Sequence, residues 1–119
     1  MKGYNLFVST SKDTIKYILH NLHNAPRFSS RAMFGEYALY ADGKVVALVC
    51  NDLLYVKILP ASQALEGICE TDAPYPGAKP HYVISEEQVR NLTDLPEILF
   101  AISASLPVKK KREPIKKRL

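Results

Sequence analysis

Two cysteines, five scattered glycines and no long apolar run set the first limits on this 119-residue sequence. Cys50 and Cys69 each lie in an apolar segment, without C-x-x-C spacing, so both read as buried, inert thiols of a reduced, cytoplasmic protein. The first eleven residues contain no long apolar core of the kind a secretory leader needs. The longest apolar stretch, residues 45–50, is one strand long, and no membrane crossing is expected. The glycines form no phosphate-cradling loop, and neither G-x-S-x-G nor H-E-x-x-H occurs. Ser29 and Ser30 lie near Arg31 without any sequence signal for a paired base, and Glu86 and Glu87 sit where acidic residues favour a helix start. An enzyme is therefore not expected, and no catalytic residue, metal ligand or cofactor is assigned.

Charge is divided along the chain. Lys109, Lys110, Lys111, Arg112, Lys116, Lys117 and Arg118 oppose only Glu113, so residues 108–119 carry +6, leaving nine basic against eleven acidic residues, net −2, in the body. The high isoelectric point thus belongs to the tail. Too poor in apolar residues to fold alone, the tail is expected to be a solvated, disordered end. If it binds anything, the partner is nucleic acid, held weakly and without sequence preference through the phosphate backbone.

The body, residues 1–107, reads as one domain. Residues 12–24 place Ile15, Ile18, Leu19 and Leu22 at helical spacing behind Thr10 and Ser11, with Asp13 in the first turn, and Pro26 ends the pattern. His20 and His23 lie three apart on this helix but have no further ligand at a recognisable spacing, so they read as histidines on a solvated flank. Residues 28–33 approach the sheet, and Gly35 marks a bend or bulge. Residues 30–57 then read as a three-strand meander, because Asp42-Gly43 and Asn51-Asp52 are turn dipeptides between β-prone runs. Two-residue loops would pair Tyr40 with Val45, Leu39 with Val46, Val49 with Leu54, and Leu48 with Tyr55. That register gathers Ala38, Tyr40, Val45, Ala47, Val49, Leu54 and Val56 on a charge-free face suited to helices. The other face would hold Tyr37, Leu39, Val46, Leu48, Cys50, Leu53 and Tyr55, ending in Lys44 and Lys57. It is more apolar than a solvated surface should be, so either another part of the chain covers it or it meets a protein partner or a second copy. Tyr37, Leu39, Val46, Leu48 and Tyr55 are the expected interface.

Residues 60–70 read as a short helix and residues 73–80 as a proline-rich loop. Residues 81–84 form a strand, with His81 as its loop-exit side chain. Ser85-x-x-Gln88 forms a capping box, and Asp94 is the expected acidic N-cap of a last helix whose stripe is Leu95, Ile98, Leu99, Ile102 and Leu106. These elements predict an α+β fold, a two-layer α/β sandwich with a mainly antiparallel sheet containing a three-strand meander, in the order α-β-β-β-α-β-α.

Two blocks carry a family resemblance. The first comprises Arg31-Ala32-Met33-Phe34-Gly35, Tyr37 to Tyr40 with Asp42-Gly43, Ala47-Leu48-Val49 and Leu54-Tyr55-Val56-Lys57; the second is Tyr75-Pro76-Gly77-Ala78-Lys79-Pro80-His81-Tyr82. In this order they resemble the N-terminal domain of the TfoX/Sxy family of bacterial competence (DNA transformation) regulators, although Glu36 and Ala38 stand where the family often has small residues. The resemblance implies the same two-layer fold and marks Arg31, Met33, Phe34, Gly35, Tyr40, Gly43, Tyr55, Lys57, Pro76, Gly77, Lys79, Pro80 and His81 as motif residues. It further implies a role in transcription regulation, since the family is known for coactivators working with the cyclic-AMP receptor protein. The longer competence regulators also carry a C-terminal domain with no counterpart in this sequence.

Overall fold

Three tight turns shape the sheet. In the computed structural model, which describes residues 11–23 and 26–107, Phe34-Gly35, Asp42-Gly43 and Asn51-Asp52 all have positive φ at both positions, as two-residue turns matched to the twist of antiparallel strands require. They link β1 (Phe28–Met33), β2 (Glu36–Ala41), β3 (Lys44–Cys50) and β4 (Leu53–Lys57). The meander therefore has four strands rather than three, and Gly35 completes a turn instead of making a bulge. Two further strands, β5 (Glu70–Asp72) and β6 (His81–Ile84), extend the sheet in the order β1-β2-β3-β4-β6-β5. Every neighbouring pair is antiparallel.

One residue corrects the expected register. Tyr40 pairs with Val45, but Leu39 pairs with Ala47, so Val46 is an extra residue in β3. A bulge of this kind changes the phase of alternation along its strand. Val46 and Ala47 are both buried in the main core, and Leu39 lies on the same side as Ala47 instead of on the opposite face. The pairing of β3 with β4 follows expectation, Leu48 with Tyr55 and Val49 with Leu54.

The helices cover the face carrying Leu39, Ala47, Val49, Leu54, Val56 and Ile84, all of which belong to one buried cluster with side chains from α1 and α3. Helix α1 (Lys12–Leu22) begins at Ser11, whose side chain accepts the Asp13 N–H, and ends at His23 in the left-handed region. It contributes Ile15, Ile18 and Leu22 to the core. Helix α2 (Glu86–Asn91) has the expected capping box, with reciprocal Ser85 and Gln88 bonds of 3.2 and 3.1 Å. Helix α3 (Leu95–Ser105) buries Leu95, Leu99 and Ile102, and Ile98 and Leu106 pack partly exposed at the edge. Its N-cap departs from expectation: Asp94 has helical dihedrals (φ −88°, ψ 0°), and its side chain makes no capping bond, since a side-chain cap needs extended backbone at that position. The stretch after β4 divides into a 3₁₀ helix (Pro60–Leu65) and β5.

Polar contacts join the layers. Buried Ser62 accepts the Leu59 N–H at 3.0 Å and donates to the Lys57 carbonyl at 2.7 Å. Lys44 Nζ donates to the Ser103 and Leu106 carbonyls at 3.0 and 3.1 Å, satisfying the negative end of α3. Lys44 thus faces the helix layer and does not end the opposite face as expected. Arg27 grips Asp42 through Nε and Nη2, at 3.0 and 2.6 Å, with its guanidinium 3.6 Å from the centre of the Phe100 ring. Phe100 in turn stacks on Phe28. The Arg27 hydrogen bonds hold the Asp42 carboxyl below its ordinary pKa. Among the described residues, no helix is long and apolar enough to cross a membrane.

Candidate functional site

The face turned away from the helices follows from the register. Arg31, Ala38, Leu48, Tyr55, Val83 and Glu70 form one continuous cross-strand row. Lys57, His81 and Asp72 form another row. Ala38, Cys50 and Tyr55 are buried but lie outside the main core cluster, as expected for side chains packed on the second face. The loop 73–80 lies along this face. Tyr75 shares one cavity with Leu48 and Cys50, and a second with Leu48, Lys57 and His81. Within the loop, Pro76-Gly77 makes a turn closed by the Ala78 N–H to Tyr75 carbonyl bond at 3.0 Å, with Gly77 at φ 89°. A turn with proline first and a positive-φ residue second selects this pair of residues. Of the two possibilities for the second face, the chain's own loop meets its centre, while no other segment among the described residues covers its β1–β2 end.

That end holds the site's most unusual residue. Phe34 is fully exposed (102%) at φ 47°, a backbone conformation rare for a bulky side chain. Met33 (39% exposed) precedes it, and Tyr75 (56% exposed) rises from the loop. Together with Glu36, Tyr37, Leu48 and Cys50 they line a groove of about 520 Å³, within the range of natural binding pockets. Burial, and secondarily the charge of Glu36, pushes the Cys50 thiol up to about 11. Burial also raises the neighbouring Tyr55 phenol, with Asp72, Cys50 and Glu36 adding to the effect. Both groups are neutral near pH 7, which leaves Glu36 as the groove's charged wall. Among the described residues, no three His, Cys, Asp or Glu side chains converge as metal ligands would.

The structure divides the five expected interface residues. Leu39 and Val46 are fully buried in the main core, because the extra residue in β3 alters the phase. Tyr37 packs against that core and also reaches the groove wall. Leu48 and Tyr55 remain on the second face. The motif residues are better gathered: Arg31, Met33, Tyr40, Tyr55, Lys57 and His81 share this face by register. Phe34 and Gly35 form its turn, and Pro76, Gly77, Lys79 and Pro80 belong to its loop. Gly43 instead serves the β2–β3 turn. Tyr75 was not assigned a role from sequence, although an aromatic residue between two prolines was the available signal. The basic residues Lys109 to Arg118 lie outside the described residues.

A family model of the TfoX N-terminal domain matches residues 20–98, well over half of the chain. The chain belongs to the TfoX N-terminal domain family. It is also 37% identical over 90 residues to the uncharacterized 12.7 kDa protein in the trpE 5′ region of Spirochaeta aurantia, an alignment covering 74% of this chain and 77% of that protein. The TfoX domain match spans β1 to β6 and α2, and so includes the whole groove and the loop beside it.

Proposed function

We propose that this TfoX-type domain is a non-enzymatic regulatory module that docks apolar side chains of a protein partner in the groove lined by Met33, Phe34 and Tyr75. The exposure of Phe34 in a strained turn carries the reading. A rigid hairpin that presents an aromatic ring to water gains nothing for the fold, whereas a large aromatic beside a pocket is the usual anchor of a protein interface. The neutral floor suits an apolar insert. Regulation of transcription through such a contact is the role that the family resemblance implies.

The test is photocrosslinking from the full chain, with a photoreactive phenylalanine replacing Phe34 in one version and exposed Glu97 of α3 in another. A discrete protein adduct formed from position 34 alone supports the reading. Equal adducts from both positions, or none from position 34, defeat it. Sedimentation of the wild type beside Leu48→Lys decides whether the partner is a second copy, since a self-associating face would lose its dimer in the variant.

A further inference from the structure

The two edges of the sheet are unlike. On one side it ends in β5, whose three residues Glu70-Thr71-Asp72 are short and twice acidic, and both properties discourage another strand from pairing there. On the other side β1 runs through Phe28-Ser29-Ser30-Arg31-Ala32-Met33 without proline, glycine, lysine or acid, and its register with β2 is unbroken. Among the described residues, no strand lies beyond it.

The ladder itself shows which groups face that edge. The Asp42 N–H donates to the Arg27 carbonyl at 2.8 Å, and this pair continues the β1–β2 register. Bonded and non-bonded pairs alternate in an antiparallel ladder, so Ser29, Arg31 and Met33 bond to β2, while Phe28, Ser30 and Ala32 turn their N–H and C=O groups outward. A row of alternating backbone donors and acceptors is satisfied by one thing, another extended strand.

The edge fits itself in one register. When two β1 strands pair antiparallel, outward residues must oppose outward residues, so the possible registers differ by steps of two. A pairing centred on Ser29 sets Arg27 opposite the partner's Arg31, and one centred on Arg31 sets Arg31 opposite the partner's Arg31. Like charges directly opposite each other push strands apart. Centred on Ser30, the same strands set Phe28 opposite the partner's Ala32, Ser29 opposite the partner's Arg31 and Arg27 opposite the partner's Met33. Each large side chain then meets a small or uncharged one, and Phe28, Ser30 and Ala32 all exchange backbone hydrogen bonds with the residues they face.

We propose that a second copy of this chain binds along β1, antiparallel and with the twofold axis at Ser30, joining the two sheets edge to edge. The second faces become one surface, on which the two Met33 positions lie about 20 Å apart along the strand direction. Two Phe34 grooves thus open on the same side. The pairing goes beyond the groove reading and does not depend on it.

The test is sedimentation velocity of the full chain over a wide concentration range. The wild type is expected to show a monomer–dimer equilibrium. Ser30→Pro removes an outward N–H, which proline at an edge position leaves the monomer free to lose, and should weaken the dimer about thirty-fold or more; circular dichroism checks its fold. Exposed Ser29 reads the register by sign: Ser29→Arg, opposite the partner's Arg31, should weaken the dimer about five-fold, and Ser29→Glu should strengthen it. The Ser29 pair decides if Ser30→Pro does not fold. Leu48→Lys, inside the sheet, should dimerise as the wild type does. The proposal is overturned if the wild type stays monomeric, if a folded Ser30→Pro dimerises as tightly as the wild type, or if both Ser29 variants shift the equilibrium in one direction. A dimer lost in Leu48→Lys but kept in Ser30→Pro also overturns it, and places the second copy in the groove instead.

Discussion

On the helix-covered face, Leu39, Val49, Leu54 and Val56 are fully buried, and the side chains of α1 and α3 close over the same cluster. On the other face, Ala38, Leu48 and Tyr55 share their row with Arg31, Glu70 and Val83, and among the described residues a proline-rich loop lies along them. The first face is specified by volume, and almost any error in size is felt throughout it. The second is built around particular groups: an aromatic in a strained turn, a row of Lys57, His81 and Asp72, and a thiol held neutral. A face that stabilises the fold and a face that tolerates a cost to it respond differently to substitution.

The widest separation between them should come from Leu99→Ala, which opens a cavity under the helices and is expected to cost about 2–5 kcal/mol in chemical denaturation. An effect below 1 kcal/mol, the level expected of a surface site, would mean that α3 is not holding the core. Ser62→Ala comes next. It removes the acceptor for the Leu59 N–H in a fully buried place, and about 1–3 kcal/mol should be lost; a neutral result would show that water replaces the hydroxyl.

Phe34→Asn should reverse the sign. Asparagine adopts the left-handed region more readily, so stability is expected to rise by about 1 kcal/mol, while crosslinking and partner binding at that turn are lost. A destabilised variant would show that Phe34 contributes to the fold, removing the contrast between the faces. A finer test reads the groove floor through Cys50. With its thiol at about 11, alkylation by iodoacetamide should be slow near pH 7 and still climbing above pH 9; a plateau near pH 8.5 would mean an ordinary, solvated thiol. Because folding raises this pKa, Cys50 also makes the native state less stable as pH rises above the ordinary thiol range.

The smallest effect belongs to Asp42. Its folded pKa is depressed by the Arg27 hydrogen bonds, so its contribution is present above the unfolded carboxyl pKa and disappears as pH falls through the folded value. Asp42→Asn should flatten that acid limb slightly without affecting Cys50 alkylation.

Much of the fold was legible because local signals agreed with one another. The stripe of α3, the Ser85–Gln88 box and the Asp42-Gly43 and Asn51-Asp52 turns each lie where residue chemistry places them. Strand β5 escaped notice because Glu70-Thr71-Asp72 is too short to alternate and its three residues are exposed. The β1–β2 turn was missed because Phe34 contradicts the preference for Asn, Asp or Gly in a left-handed position, and Gly35 alone suggested only a bend. The second face was assigned correctly at Leu48, Tyr55 and Lys57 and incorrectly at Tyr37, Leu39, Val46 and Lys44, while Ala38, Tyr40 and Val45, expected beneath the helices, lie on it instead. The reason is Val46: nothing in a run of Val-Val-Ala-Leu-Val announces which residue lacks a partner, since each could fill either face.

That unpaired residue also determines how this strand can change over time. Replacing Val46 by isoleucine or leucine only alters volume, and deleting it would restore plain two-for-two pairing with Leu39 still opposite Ala47 and Tyr37 opposite Val49, both facing the helices. A relative with a one-residue gap at this point should therefore keep both faces and lose only the bulge, whereas a gap at a paired position of β3 would exchange the faces of the strand on one side of it.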